Sequence, residues 1–339
     1  MPAKQTASGC LFGAALGDAL AAPTEFSDIA SIVRRFGPKG PAEPEGNPAL
    51  VTDDTQMMLA VGEGLLACGS DLSPARVETA LRKAFVAWLH DPENNRAPGN
   101  TCLSASISLG THRPWQQCTI PGSKGCGANM RVQPIGLLPI DPELRAALAQ
   151  FQAALTHGHP TALAAADLTA AAIASLRLGL QPSVLPKHLR NYARSQRTLY
   201  TEDWLGSLWQ RPGEQSPQDF IARGWDECLT VLDRLDAALA RPDRTTDPCQ
   251  QTGAGWVAEE AFATGLLCFL LFPDDPVAAL RRAAVTSGDS DSIACLTGAF
   301  AGACHGLSAW PADWLHRIEY RPRLAAIGAA WDQISEDPR

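Results

Sequence analysis

Between residues 8 and 22 the chain reads SGCLFGAALGDALAA, an apolar stretch in which Gly9, Gly13 and Gly17 recur every four residues. At 3.6 residues per turn these glycines fall on one helical face. A face without side chains lets a second backbone come close, so the stretch predicts a buried helix pressed against a partner, with Ser8 as its N-cap. In lipid such a stripe suggests helix dimerisation, but Asp18 and the short run point to a soluble core. Composition agrees, with 45% hydrophobic but only 6% aromatic residues and abundant Ala and Gly. Strands want Val, Ile, Thr and aromatics, so this mix favours many tightly packed helices.

Periodicity predicts helices over residues 54–67, 74–90, 141–156, 160–179 and 182–196, and again over 218–240, 255–272, 275–286, 291–306 and 322–334. Stretches 37–50, 91–101 and 111–129 are rich in Gly, Pro or Asn and read as loops. Residues 200–217 read as an irregular excursion, an insertion in the helical plan. With no strand alternation, fixed-period repeat or low-complexity linker, the expectation is one all-α domain over residues 1–339.

The net charge of −8 and the lack of a Lys/Arg run with interleaved aromatics exclude an electrostatic footprint for nucleic acid. The longest apolar runs, such as 261–272, are too short to span a bilayer. Ten cysteines form no CxxC pair and no Cys/His zinc spacing. Cys68, Cys268 and Cys295 lie in apolar helical stretches as small hydrophobes. With no signal peptide in view, the chain is expected in a reducing cytoplasm.

Two acidic clusters carry the chemistry: Thr52-Asp53-Asp54-Thr55 and Gly288-Asp289-Ser290-Asp291-Ser292, each opening a helix. Ser, Thr and Asp cap helices, and acids in a first turn suit the helix dipole. Each cluster, however, holds two carboxylates plus hydroxyls, more than one cap requires, beside strongly apolar sequence. Adjacent buried like charges are costly unless a cation neutralises them. Carboxylate and hydroxyl oxygens without Cys or His suit a hard cation, magnesium or manganese, and neither cluster has an EF-hand loop.

The sequence resembles the ADP-ribosylglycohydrolase family over nearly its whole length. The resemblance rests on Gly13-x-x-x-Gly17-Asp18-Ala19 with Glu25 following, and on Thr52-Asp53-Asp54-Thr55-Gln56-Met57. It rests also on Gly127-Ala128-Asn129-Met130-Arg131, on Thr156-His157 and on the second acidic cluster. Pro98-Gly99-Asn100 matches a family loop more weakly. The resemblance implies an orthogonal helical bundle holding two magnesium ions, with Thr52, Asp53, Asp54, Asp289, Asp291 and Ser292 as ligands. The family often has Thr where this chain has Ser290 and Ser292, and Ser292 keeps the hydroxyl oxygen.

What the resemblance implies next is hydrolysis of a glycosidic bond to ADP-ribose, on an ADP-ribosylated protein, with arginine as the linked residue. Two magnesium ions hold the ribose diol, while carboxylates stabilise an oxocarbenium-like transition state. Glu25, Asp54 and Asp289 are the expected catalytic group, and whether Glu25 or a metal-bound aspartate handles the proton stays open. Asp18 is expected to support the ligands. Glu25 and four aspartates give five negative charges against four on two ions, so the diphosphate falls to backbone amides of the Gly-rich loop at 121–129. The expected substrate contacts are Gly125, Gly127, Ala128, Asn129, Met130, His157 and Trp256, with Lys124 a lesser candidate. Trp256 reads equally as a wall of the cleft or a core residue. Three other outcomes stay open: hydrolysis of serine-linked ADP-ribose or O-acetyl-ADP-ribose, a non-catalytic ADP-ribose-binding or immunity protein, and a metal phosphoesterase. Full retention of the acidic set argues against the non-catalytic reading.

Overall fold

The computed structural model describes residues 4–111 and 113–334. The first third of the chain forms α1 (Thr6–Ala21), α2 (Ile29–Phe36), α3 (Asp53–Cys68), α4 (Pro74–Leu89) and α5 (Asn100–Leu109). The middle forms α6 (Gln133–Leu137), α7 (Pro142–Ala154), α8 (Pro160–Arg177), α9 (Leu185–Gln196), α10 (Glu202–Leu205) and α11 (Pro217–Ala240). The last third adds α12 (Cys249–Thr252), α13 (Ala258–Leu271), α14 (Pro276–Ala283), α15 (Ser290–His305), α16 (Ala312–Arg317) and α17 (Arg321–Ile334). The described residues contain no strand, only isolated bridges such as Gly125 to Val257. No helix among them is long and apolar enough to cross a membrane.

Local sequence sets the helix starts. Proline opens α4, α7, α8, α11 and α14, where its missing N–H costs nothing. Thr52, Ser216 and Asp275 accept hydrogen bonds from first-turn amides of α3, α11 and α14. Ser8 is not a cap: α1 starts two residues earlier, and Ser8 Oγ donates to Asp332 at 2.7 Å, tying α1 to α17.

The glycine stripe determines the centre of the molecule. α1 runs antiparallel to α15, and both faces are stripped of side chains. A Cβ on Gly13 would stand 2.3 Å from the Gly298 carbonyl oxygen, and one on Gly17 would stand 2.0 Å from that of Ala294. Reciprocally, a Cβ on Gly302 would meet the Gly9 oxygen at 1.9 Å. This contact brings the end of α1 to the start of α15. The alanine-rich α8 lies beside α7, α11 and α15, with all but its C-terminal turn buried.

Several short helices depart from the sequence expectation. α2, α6 and α16 lie where none was expected, and α5 begins at Asn100, inside the stretch read as loop. α5 buries Cys102, Ala105, Ser106 and Leu109, a helical i, i+3, i+4, i+7 face that its hydroxyl-rich sequence disguises. The expected loop at 111–129 contains 3-10 turns at Trp115–Gln117 and Cys126–Ala128. The excursion at 200–217 forms α10 and a further 3-10 turn, burying Trp204, Leu205 and Leu208.

Candidate active site

Three helix ends converge where α1 and α15 meet. Asp18, in the last turn of α1, is fully buried and accepts hydrogen bonds from the Thr52 amide at 3.0 Å, the Thr55 amide at 3.1 Å and the Thr55 hydroxyl at 2.5 Å. It therefore pins the start of α3 to the end of α1. Ser290 is buried and shares a 3.0 Å hydrogen bond with Thr24, which ties the start of α15 to the turn after α1. The two acidic clusters, more than 200 residues apart in sequence, consequently face one cleft.

That cleft measures about 240 Å³. A larger hollow of 630 Å³ lies elsewhere, beside Trp115 and Trp204, but it does not gather the acidic clusters. Glu25, Asp53, Asp54, Asp289, Asp291 and Ser292 all line the acidic cleft. The Gly99 amide donates to Asp53 Oδ2 at 3.1 Å. The Ser292 amide donates to Asp291 at 3.0 Å, and its hydroxyl reaches Asp54 Oδ1 at 3.4 Å. Thr52 does not line the cleft; its hydroxyl oxygen accepts from the Asp54 amide at 3.3 Å as a helix cap.

The electrostatics show what this cluster requires. Burial, reinforced by Asp289 and Asp53, pushes Glu25 up to about 8. Burial likewise raises Asp53 to about 7. Burial, then the charges of Asp18 and Asp53, hold Asp54 well above the carboxylate range; burial, then Asp54 and Asp289, do the same for Asp291; and Asp289 is raised by burial. The starts of α3 and α15 each offer about half a positive charge, far short of what five carboxylates need. Asp54 Oδ2 is buried and has no hydrogen-bond partner. Glu25, Asp289 and Asp291 can each present an oxygen within 4.8 Å of the others. An orphaned carboxylate oxygen among several further carboxylate and hydroxyl oxygens fits a hard divalent cation.

The opposite wall is the Gly-rich loop. Gly125, Cys126, Gly127 and Met130 line the cleft, and a Cβ on Gly127 would stand 2.7 Å from Cys102 Sγ and 3.1 Å from the His157 ring. Only glycine leaves the ring room there. The Cys126 amide donates to the Trp256 oxygen, and the Ala258 amide to the Lys124 oxygen, so this loop is stitched to the segment before α13. That segment is stitched in turn to the second acidic cluster, since the Asp289 amide donates to the Ala254 oxygen at 2.8 Å.

Some expected contacts fall elsewhere. Ala128 and Asn129 are fully buried behind the loop, and Asn129 Nδ2 donates to the Ala258 carbonyl, which makes it a strut. Lys124 lends no charge to the cleft, because its ammonium lies between Glu227 at 2.6 Å and Glu259 at 2.5 Å. His159 caps α8 through Nδ1. The excursion at 200–217 stays off the cleft wall and props the loop from behind, Arg211 donating to the Pro121 and Gly158 oxygens at 2.7 Å. Trp256 is not a core residue: it is 44% exposed and stacks on Phe26, 71% exposed, at 5.5 Å between centroids and 18° between planes.

Two side chains escaped the sequence reading. Phe26, at the cleft edge directly after Glu25, has φ +59, a left-handed conformation that non-glycine residues seldom hold. Cys126 puts a thiol against the acids, its Sγ 2.8 Å from Asp289 Oδ2 and 3.4 Å from Ser292 Oγ. Its place between two loop glycines was the one available signal.

A family model described as ADP-ribosylglycohydrolase matches residues 2–338. The sequence is 27% identical to ADP-ribosylhydrolase ARH3 of Bos taurus, over 92% of this chain and 88% of that one. It is 26% identical to the ADP-ribosyl-[dinitrogen reductase] glycohydrolase of Rhodospirillum rubrum, over 93% and 90%. It is 25% identical to ADP-ribosylarginine hydrolase Tri1 of Serratia proteamaculans, over 95% and 77%. A solved structure described as an ADP-ribosylglycohydrolase-related protein complex shares the fold, with TM-score 0.71 and 22% identity over 99% of this chain and 100% of that one.

Proposed function

This chain belongs to the ADP-ribosylglycohydrolase family and is a hydrolase of that class, and from that premise we propose that it releases ADP-ribose, with magnesium, from ADP-ribosylated arginine on a protein. The observation that carries the reading is one cleft with five carboxylates on one wall and a glycine-rich loop with His157 on the other. Asp53, Asp54, Asp289 and Asp291 would hold two magnesium ions, helped by the Ser292 hydroxyl, whereas the Thr52 hydroxyl is taken up in capping α3; manganese has the same oxygen preference. When bound, the metal supplies Lewis-acid polarisation and a template for the ribose diol.

The chain's own groups do the rest. Glu25 handles the proton at its carboxyl, which lines the cleft and can present an oxygen within 4.8 Å of those of Asp289 and Asp291. Asp54 and Asp289 offset positive charge developing at the anomeric carbon. The loop takes the diphosphate on the backbone N–H groups of Gly125 and Gly127, the Cys126 amide being committed to Trp256, and Met130 closes that end. The arginine linkage is supported by the lip of the cleft. Phe26 and Trp256 present exposed aromatic faces beside an acidic site, a surface on which a planar, cationic guanidinium stacks well.

The test is release of ADP-ribose from arginine- and serine-linked substrates in magnesium and in EDTA. Magnesium-dependent release from the arginine substrate is expected, and Asp53→Ala and Asp291→Ala should each lower kcat/KM by on the order of a hundredfold or more. Release by both variants at the wild-type rate would sink the site assignment. Preference for the serine substrate would move the activity to that linkage, and binding without release would make the protein a reader of ADP-ribose.

A further inference from the structure

A third cavity, of about 400 Å³, opens between α14, the loop around Arg244 and the turn after α2. Lys39, Arg244, Arg281 and Arg282 line it, together with one carboxylate, Asp275. That carboxylate is committed to the backbone, its Oδ1 accepting from the Ala278 amide at 3.0 Å. Among the described residues none of the four cations forms an ion pair, whereas arginines elsewhere on this acidic protein, such as Arg197 and Arg317, do.

Main-chain oxygens hold the guanidinium groups instead. Arg281 Nη2 donates to Gly40 at 3.3 Å, and Arg282 Nη1 to Arg244 and Thr245 at 3.4 and 3.3 Å. Arg282 Nη2 donates to Val285. Arg244 Nε donates to Leu271 at 2.9 Å, with its guanidinium 4.7 Å from the Phe272 ring centroid. Carbonyls fix a guanidinium in place but leave its charge uncompensated. The Nε–H groups of Arg281 and Arg282 are also buried without any partner. Three held guanidinium groups and Lys39 around one hollow repel each other unless an anion sits among them. The remaining wall is apolar, with Phe272, Val277 and Val285. The volume falls within the range of roughly 300–1,000 Å³ typical of small-molecule sites.

We propose that this cavity binds a phosphorylated small molecule, with the phosphate on Arg281, Arg282 and Lys39 and the carbon skeleton on Phe272 and Val277. Guanidinium forks match phosphate oxygens, and a site of this build takes mono- and diphosphates in preference to single-charged anions. It is a different site from the acidic cleft, with which it shares no lining residue.

The probe is inorganic pyrophosphate, titrated calorimetrically into the full chain in EDTA, where the acidic cleft repels anions. One binding event is expected, weakened by added salt. It should fall about tenfold or more in affinity in the double variant Arg281→Gln/Arg282→Gln, the loss of at least one charge-assisted contact. Lys39→Glu provides the same readout without touching the fold, since Lys39 is exposed and makes no hydrogen bond among the described residues. Asp291→Asn should leave the affinity unchanged. No binding at millimolar pyrophosphate, unchanged affinity in Lys39→Glu, or tighter binding in Asp291→Asn, which would place the probe in the cleft, each overturns the proposal.

Discussion

Thr156 has one hydroxyl proton, and its neighbours decide where it goes. Arg131 Nη2 donates to Thr156 Oγ1 at 2.7 Å, and a guanidinium cannot accept. The proton therefore goes to His157 Nδ1 at 2.8 Å in preference to the Ala153 oxygen at 3.4 Å. Burial, and then the Arg131 charge, hold His157 well below its ordinary range, so the ring is neutral. With Nδ1 accepting, the ring proton sits on Nε2, which lies beside Gly125 and Gly127 in the cleft. Arg131 and Thr156 thus fix a histidine that always offers an N–H to the ligand. Thr156→Val should shift the His157 ring nitrogens in ¹⁵N spectra toward a tautomer mixture and weaken ADP-ribose binding by about five- to tenfold, the loss of one hydrogen bond's worth of orientation. Unchanged ring shifts would refute the relay. At the lip, Trp256→Ala should raise KM for arginine-linked substrate by about tenfold while changing kcat less, because it removes stacking made in ground and transition states alike. An effect confined to kcat would place Trp256 in the chemistry instead.

At the scale of elements, the pairing of α1 with α15 both stabilises the centre and assembles the site. A methyl on Gly17 or Gly298 must displace a backbone oxygen now 2.0 or 1.9 Å from its position. Gly298→Ala should therefore cost at least about 1–3 kcal/mol in thermal or denaturant unfolding. Gly122→Ala, with nothing within 4 Å of the added carbon, should unfold like the wild type. Equal stability of the two variants would mean that the helices tolerate separation. This pairing also marks the limit of what the sequence discloses. Spacing by four announced a bare helical face on residues 8–22, and residues 291–306 were visibly small, but nothing in either names its partner. The acidic clusters were legible because carboxylates beside apolar sequence demand an explanation. Phe26 was not, since its position depends on how the turn after α1 is aimed, and Cys126 is one cysteine among ten. α2 and α5 were lost for different reasons. The helicity of α5 comes from burying a few side chains against neighbours, which overrides weak local propensity, whereas α2 buries only Ile32 and is set by the Asp28 cap on the Ser31 amide and by Gly37 at φ +79.

For the molecule as a whole, the cost of the site should appear in how stability depends on pH. Burial raises Asp18 to about 6, Asp53 to about 7 and Glu25 to about 8, against ordinary values of 3.8, 3.8 and 4.5. Away from the cleft, Asp167 is fully buried, and burial raises it to about 6 even though the Tyr192 hydroxyl and Gln150 Nε2 donate to its carboxylate and favour the ionised form. In each case the folded state keeps its proton to higher pH than the unfolded chain. As pH climbs from about 4, the unfolded chain ionises first, so the folded state binds more protons and loses stability until its own groups ionise near pH 6 to 8. Metal-free protein should therefore melt at progressively lower temperature from pH 5 to pH 8, opposite to the usual acid-denaturation trend. Magnesium replaces the missing protons, so its stabilisation should be small at pH 5 and largest at pH 8. Asp53→Asn should raise the EDTA melting temperature at pH 8 while abolishing part of the magnesium response, since it relieves the repulsion that the cation relieves. The Asp167 contribution should survive both treatments, leaving a residual slope between pH 4 and 6 when the metal is saturating. Melting curves in EDTA and in magnesium across pH 5 to 8 decide the matter. A flat EDTA profile, or a magnesium shift of equal size at both ends, would mean that these carboxylates ionise without penalty and that the cluster is not built around a cation.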